Sequence, residues 1–100
     1  MNAKSYCVYI ITNKNNTTFY IGVTNNLFNR IFIHRTGYND GFSKKYCLNK
    51  LVYYEEYWDI RDAITREKQL KNWHRRWKIN LIKENNPYLK DLADDWYDDY

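Results

Sequence analysis

Two tyrosines, an arginine, a histidine and one glutamate are the residues of this chain whose types and spacing could do chemistry. Tyr9 and Tyr20 lie in two apolar runs whose alternation puts both phenols on the same face of one hairpin. Arg30 and His34 lie one helical turn apart, at the edge of an apolar stripe. Glu67 occupies a helix position where the pattern calls for an apolar residue. An inward carboxylate costs several kcal/mol unless a cation or hydrogen-bond donors meet it, so Glu67 is a candidate metal ligand.

Structural interpretations of the same residues stay open beside the chemical one. Glu67 could pair with a neighbouring arginine, or lie along the helix surface beside Lys71, four residues later. Tyr9 and Tyr20 could be a cross-strand packing pair in a chain that has eleven tyrosines.

The strands that would hold the tyrosines are indicated by β-branched and aromatic runs. Residues 6–11 (YCVYII) and 17–23 (TTFYIGV) flank the turn cluster NKNN and predict a β-hairpin. A third strand is predicted over residues 51–58, at a sheet edge with Glu55 and Glu56 both in solvent. Gly22 shares the face of Tyr20, where its missing side chain leaves space for a phosphate or for close approach of the first helix.

Three helices are expected around these strands. The first covers NNLFNRIFIHRTG, residues 25–37, with an Asn or Thr cap. The second begins at Asp59 and runs through DAITREKQLKNWHRRW, and the third covers residues 77–84 and is closed by Asn86-Pro87. The inward positions of the second helix are Ile60, Ala63, Ile64, Glu67, Leu70 and His74.

Basic side chains that could contact a nucleic acid lie in two segments. The loop over residues 38–49 carries Lys44 and Lys45, while WHRRWK, residues 73–78, interleaves Arg75 and Arg76 with two tryptophans as nucleic-acid stacking platforms do. An alternative places both tryptophans in the core, and we expect it for Trp77. The candidate nucleic-acid contacts are Gly22, Lys44, Lys45, Lys71, Arg75 and Arg76.

Length and charge favour one small domain with a polyanionic partner. One hundred residues support a single modest core, predicted over residues 1–92 and followed by an acidic aromatic tail, residues 93–100. Residues 1–87 hold fifteen Lys and Arg against seven Asp and Glu, a net charge of +8, which favours nucleic acid over membrane. A merely soluble basic protein is the alternative. The tail could be disordered, fold back on the basic body, or mimic nucleic acid there.

Cysteine usage and hydropathy indicate a reducing, aqueous compartment. Cys7 and Cys47 lack metal-ligand spacing and are expected to be reduced thiols. No apolar run approaches the ~18 residues of a membrane span, and the first residues lack the apolar core of a signal peptide. The cytoplasm is the expected location.

Taken together, these motifs resemble the GIY-YIG nucleases. Tyr20-Ile21-Gly22 matches the second signature, Cys7-Val8-Tyr9 stands at the first, and eleven residues separate the two tyrosines. The resemblance continues with Arg30 and His34 and with REKQLKNW, residues 66–73. It extends over residues 6–92 and is similar to the small stand-alone bacterial proteins of the family.

This resemblance implies an α+β fold, with a three-stranded antiparallel sheet flanked by helices, and hydrolysis of phosphodiester bonds in DNA with one divalent ion, Mg²⁺ or Mn²⁺. It implies that Glu67 binds the ion, that Arg30 contacts the attacked phosphate, and that His34 is an active-site histidine. Tyr9 and Tyr20 would lie near the nucleophilic water. A guanidinium and a metal ion do stabilise charge that develops on a phosphate.

Either tyrosine, with an ordinary pKa of ~10, would need a nearby cation to act as a base, which predicts a rate that rises with pH. Two other functions remain as alternatives: a nucleic-acid-binding module with feeble hydrolysis, and a protein-interaction domain masked by its acidic tail.

Overall fold

The strands and helices follow the order that the sequence predicts. The computed structural model describes residues 4–36 and 45–97, so Lys44 and most of the predicted loop over residues 38–49 lie outside the described residues. The elements are β1 (Tyr6–Thr12), β2 (Phe19–Thr24), α1 (Leu27–Thr36), β3 (Lys50–Tyr57), α2 (Ile60–Lys71) and α3 (Arg75–Asn85). All strand pairs are antiparallel in the order β2-β1-β3, which confirms the predicted α+β fold.

The loop between β1 and β2 is held by the side chain of Asn13. Its amide oxygen accepts a hydrogen bond from the backbone N–H of Thr17 at 2.8 Å, and its amide nitrogen donates to the Thr17 hydroxyl at 2.6 Å. Asn16 adopts a left-handed backbone with φ 58°, a conformation that asparagine tolerates better than most residues. The NKNN segment therefore forms the predicted turn, and the hairpin register puts Tyr9 opposite Gly22.

Both faces of the sheet are covered by packed side chains. The face that bears Val8 and Ile10 packs against α2 and α3, and the face that bears Tyr9 and Ile11 packs against α1 and a segment near the C-terminus. The buried residues that cover the first face are Ala63, Leu70, Ile82 and Leu89, and those that cover the second are Ile31, Leu48 and Ala93. Tyr9 and His34 are thus enclosed between the sheet and α1.

The second helix is shorter than predicted, and this changes which side chains are buried. It ends at Lys71, where the backbone N–H of Asn72 bonds back to Gln69 and Leu70, and His74 has an extended backbone at the start of α3. The expectation that His74 faces inward is wrong because the chain has left the helix there. Ile60 and Ile64 are each 37% exposed, so within the predicted inward stripe Ala63 and Leu70 are fully buried and Glu67 is partly buried.

Trp77 is also placed differently from the prediction. We expected it in the core, but it is 53% exposed, because it lies about 140° around α3 from Ile82, which is buried as expected. The predicted end of that helix is correct. Asn86 caps it, and its side-chain amide donates to the carbonyls of Val52 at 3.1 Å and Lys90 at 2.8 Å.

Glu55 on the edge strand β3 is not in solvent as expected. Arg66 donates to both of its carboxylate oxygens, at 3.0 Å from Nε and 2.9 Å from Nη2, and the hydroxyls of Tyr53 and Tyr57 also donate to it. Only Glu56, on the opposite face, is exposed. The predicted edge position of the strand is correct, but the solvation of Glu55 is wrong because α2 brings Arg66 to it.

Glu55→Gln should destabilise the protein by about 2 kcal/mol at neutral pH, because hydrogen bonds to a charged group are lost. Burial alone would raise the pKa of Glu55, but the hydrogen bonds from Arg66 and the two tyrosines outweigh it and hold the pKa below its ordinary value of 4.5. A carboxyl with a lowered native pKa stabilises the fold above its unfolded pKa and loses that contribution as the pH falls.

The measurement is urea unfolding at pH 7 and pH 3.5. The difference between the wild type and Glu55→Gln should shrink at the lower pH, whereas Glu56→Gln, the exposed neighbour, should change stability little at either pH. An equal loss for Glu55→Gln at both values would contradict the assignment.

Cys7 and Cys47 are free thiols, as expected. Over residues 4–36 and 45–97, no helix has the length and hydropathy to cross a membrane.

Candidate functional site

Three aromatic rings meet on the sheet face beneath α1. The ring centroids of Tyr9 and Tyr20 are 6.5 Å apart, and each lies about the same distance from His34, at 5.9 and 6.0 Å. The Tyr9 hydroxyl lies 3.2 Å from Nε2 of His34 in a buried hydrogen bond. Strand alternation therefore brings the two phenols together, and the inward edge of α1 adds the imidazole.

Gly22 allows this cluster to form. A Cβ built on Gly22 would lie 2.5 Å from the hydroxyl oxygen of Tyr9 and 2.6 Å from its Cζ, closer than any real Cβ contact. The ring of Tyr9 lies across the bare backbone of its cross-strand partner. The space that we expected to receive a phosphate or the first helix is thus filled by Tyr9, and Gly22 fixes the position of that phenol.

Arg30 lies on α1 one turn before His34 and is half-buried. Its helix is anchored next to the end of β2, because the Thr24 hydroxyl accepts from the N–H of Asn26 at 3.1 Å and the Asn26 side chain accepts from that of Asn29 at 3.0 Å. Within residues 4–36 and 45–97, the guanidinium of Arg30 makes no hydrogen bond or ion pair. It is therefore available to an anion that enters the site.

Glu67 reaches the same site from α2. Its Oε2 lies 3.1 Å from Nζ of Lys71, and that Nζ lies 6.0 Å from the ring centroid of Tyr20. The side chain of Glu67 is 16% exposed, while that of Lys71 is 49% exposed. The ion pair between Glu67 and Lys71, considered above as the structural alternative, is therefore present. Because the side chain of Lys71 is half exposed, its ammonium can move into water when another cation takes its place.

The protonation states of Tyr9 and His34 follow from their surroundings. Burial raises the pKa of Tyr9 most, the phenol of Tyr20 and the carboxylate of Glu67 raise it further, and the charge of Arg30 opposes them. Burial, and then the charge of Arg30, lower the pKa of His34. At neutral pH the phenol and the imidazole are both uncharged, and the tautomer of His34 sets which of the two donates in their hydrogen bond. The same electrostatic couplings connect Arg30 and Glu67 with Tyr9.

The donor set at Glu67 fits a hydrated hard cation. No group of three or more His, Cys, Asp or Glu side chains is assembled in the described part of the chain, so a zinc-type cage is not present there. Mg²⁺ keeps several waters and needs only one or two carboxylates together with substrate phosphate. The ammonium of Lys71 at Oε2 stands where a cation is accommodated, so Glu67 would be the residue that holds the ion.

Arg75, predicted to contact nucleic acid, makes contacts within the protein. Its Nη1 donates to the carbonyl of Thr17 at 2.8 Å and its Nη2 to that of Asn16 at 2.9 Å. Its guanidinium also lies 5.1 Å from the ring centroid of Phe19. Arg75 therefore fastens the start of α3 to the hairpin loop.

The other predicted basic contacts differ in their surroundings. Arg76 is exposed on α3, and Lys45 is exposed with its ammonium 5.4 Å from the ring centroid of Tyr46. Lys44 lies outside the described residues. A cavity of about 550 Å³ beside the end of β1 is lined by none of the predicted site residues, and its lining consists of Lys14, Arg35, Asn49, Lys50 and Asp91.

The C-terminal segment packs against the outer side of α1. The sequence alone did not decide between this arrangement and a disordered tail. Trp96 stacks on Phe28 with ring centroids 6.2 Å apart, and the Tyr97 hydroxyl donates to the backbone carbonyl of Phe28 at 2.6 Å. Asp91 forms an ion pair with Arg35 near the other end of the helix. Of the fates considered for the tail, residues 93–97 fold back on the body, while residues 98–100 lie outside the described chain.

Comparison with known proteins agrees with this geometry. The family model described as the GIY-YIG catalytic domain matches residues 5–80. The chain is 35% identical over 82 residues to UPF0213 protein SH2523 of Staphylococcus haemolyticus, which covers 82% of this chain and 98% of that protein. It is 37% identical over 90 residues to UPF0213 protein CPE1444 of Clostridium perfringens, with 85% and 95% covered.

A UPF0213 protein of Pediococcus pentosaceus is 35% identical over 75 residues, which covers 75% of this chain and 79% of that protein. No solved structure gives a significant match. The chain therefore belongs to the GIY-YIG family, whose catalytic domain implies a nuclease-like function and nucleic-acid binding.

Proposed function

We propose that this protein is an endonuclease that uses one Mg²⁺ or Mn²⁺ ion to hydrolyse phosphodiester bonds in DNA. The observation that carries the proposal is a geometry. The Tyr9 hydroxyl is hydrogen-bonded to His34, and the ring of Tyr20 lies 6.0 Å from that of His34. The ammonium of Lys71, the partner of Glu67, lies 6.0 Å from the ring centroid of Tyr20, while Arg30 lies one turn before His34 on α1. These groups come from the β1–β2 hairpin and two different helices. The guanidinium of Arg30 has no partner in the described chain, so a contribution to folding does not explain its place on the helix that covers a buried phenol.

Arg30 and Glu67 carry opposite charges, one suited to the phosphate and the other to the divalent ion. The guanidinium of Arg30 binds a non-bridging oxygen of the phosphate and stabilises the charge that grows there as the bond to the nucleophile forms. Glu67 would hold the divalent ion in place of the ammonium of Lys71. A bound ion would supply further positive charge to the phosphate and the leaving oxygen.

Tyr20 is the tyrosine best placed to act, in its phenolate form, as the base that takes a proton from the attacking water. Tyr9 is held in a buried hydrogen bond with His34, and burial raises its pKa, so it remains a neutral phenol. Tyr20 is half-buried, and the ammonium of Lys71 lies 6.0 Å from its ring centroid, so a cation held by Glu67 in place of that ammonium would be near a charge on this side chain. In this assignment Tyr9 and His34 are positioning residues, because their rings contact the ring of Tyr20 and hold its orientation.

The test is single-turnover cleavage of labelled single-stranded, duplex and branched DNA with Mg²⁺, with Mn²⁺ and with EDTA. Arg30→Gln should reduce the rate by about 10²–10³-fold, because a fixed donor to the phosphate is lost. Its folding should be unaffected, since this guanidinium has no partner in the described ranges. Arg61→Gln is the matched control, because Arg61 carries the same charge but is 85% exposed in a surface pair with Asp59.

The proposal fails if the wild type shows no metal-dependent cleavage of any of these substrates. DNA binding that falls with salt but is never followed by cleavage would support the binding module instead.

A further inference from the structure

The junction between α2 and α3 exposes an aromatic cluster next to the site. Trp77 is 53% exposed, and its ring meets two others edge to face, that of Trp73 at 5.8 Å and that of His74 at 5.5 Å between centroids. We name Trp73, His74 and Trp77 the aromatic step. Trp73 packs partly against the core, but the broad exposed face of Trp77 beside two other rings is not explained by that packing.

The aromatic step lies in the most basic stretch of the chain. Residues 66–78 contain six Lys and Arg and one acid, Glu67. Arg66 and Arg75 are engaged by Glu55 and by the hairpin carbonyls, whereas Arg76 and Lys78 form no ion pair with any residue of 4–36 and 45–97. Their charges complement a polyanion better than they complement any apolar partner.

The aromatic step is also held rigidly. The guanidinium of Arg66 lies 5.2 Å from the ring centroid of Trp73 while it is bound to Glu55, and Arg75 ties the start of α3 to the hairpin loop. A ring that is already fixed loses little conformational freedom when it stacks against a ligand. This favours Trp77 as a binding surface over a side chain that is merely left outside the core.

Two cations connect the aromatic step with the candidate site. Lys71 lies over the ring of Tyr20, and Arg75 lies over the ring of Phe19, the preceding residue of β2. The junction between α2 and α3 therefore runs along the strand that carries Tyr20. The side chains of Phe19 and Tyr20 lie on opposite faces of β2, which is an edge strand, so a nucleic-acid strand whose phosphate reaches Arg30 and Glu67 would pass around this sheet edge to reach Trp77.

We propose that Trp77, supported by Trp73 and His74, stacks against an unpaired base, and that the protein selects nucleic acid with a single-stranded segment beside the scissile bond. Bases inside a duplex are covered on both faces by their neighbours, whereas an unpaired base offers a face to an aromatic ring. The neighbouring cations then bind the phosphates on either side of that base. This inference rests on the proposed function for the location of the scissile bond.

The experiment measures binding in EDTA, so that no cleavage occurs. Fluorescence anisotropy compares the full chain on a labelled blunt duplex and on the same duplex with a single-stranded overhang. We expect Trp77→Ala to weaken binding to the overhang substrate by about tenfold, the factor that a stacked base typically contributes, and to leave binding to the blunt duplex unchanged. Trp77→Phe should keep most of the overhang preference because it keeps an aromatic face.

The matched control is Trp58→Ala, since Trp58 is exposed to a similar extent, 59%, but lies before α2. Far-UV circular dichroism and thermal melting check that each variant folds. The stacking proposal is overturned if Trp77→Ala weakens both substrates equally, changes neither, or is matched by Trp58→Ala. If Trp77-dependent overhang binding is found and Mg²⁺ or Mn²⁺ produces no cleavage, the nuclease proposal fails and the stacking surface stands.

Discussion

Glu67→Gln is expected to abolish metal-dependent cleavage, with a loss of about 10³-fold or more. Glutamine keeps the shape of the side chain but removes the charge that would hold the ion, and several kcal/mol of transition-state stabilisation depend on that ion. Stability should change little. The lost pair with Lys71 is a partly exposed contact four residues apart on a helix, which contributes only about 0.3–0.5 kcal/mol.

Two measurements test this expectation separately. Single-turnover cleavage reports the chemistry, and the melting temperature with and without Mn²⁺ reports whether the ion still binds the native state. The ion should raise the melting temperature of the wild type and not that of Glu67→Gln. Glu84→Gln, an exposed glutamate on α3, should behave as the wild type does in both assays. Wild-type cleavage by Glu67→Gln would remove this carboxylate from the mechanism.

Gly22→Ala is expected to have the largest effect on stability, a loss of about 1–3 kcal/mol or more. The added Cβ would overlap the ring of Tyr9 at three atoms, with distances of 2.5, 2.6 and 2.9 Å. This ring cannot swing aside freely, because its hydroxyl is bonded to His34 and it is packed beneath α1. Any shift that relieves the overlap moves the phenol within the site, so cleavage should fall as well.

A double-mutant cycle separates this overlap from a general intolerance of alanine on the strand. Tyr9→Leu removes the ring atoms that the new Cβ would meet, so Gly22→Ala should cost much less in that background than in the wild type. Urea unfolding of the four proteins measures the coupling. Equal costs of Gly22→Ala in both backgrounds would show that the ring of Tyr9 is not what requires glycine.

The sequence predicts best where one periodicity fixes the answer. Alternation in two strands determines that Tyr9 and Tyr20 share a face, and helical spacing determines that Arg30 and His34 share an edge, so the structure brings these groups together as expected. The function of Gly22 could not be obtained in this way. It depends on which ring lies across the strand, and that follows from the pairing register and the bond to His34 rather than from any local pattern.

The errors concern residues whose surroundings come from distant parts of the chain. Glu55 finds its partner eleven residues away on α2, and neither local pattern contains the other residue. The break before α3 contains no glycine or proline, so the sequence predicted that the second helix continues to Trp77, with His74 facing inward. For Glu67, the helix pattern did contain Lys71 as one possible partner, because a pair four residues apart on a helix is a local feature.

The contacts of α1 make the folding unit longer than the matched family domain, which ends at residue 80. The helix that presents Arg30 and His34 to the sheet is covered on its outer side by Trp96 and Tyr97 and fastened by Asp91. A recombinant fragment that ends at residue 80 would lack these residues, and the outer side of α1 would be exposed to solvent. The placement of Arg30, the proposed phosphate-binding residue, thus depends on aromatic and acidic residues more than fifty positions later in the sequence.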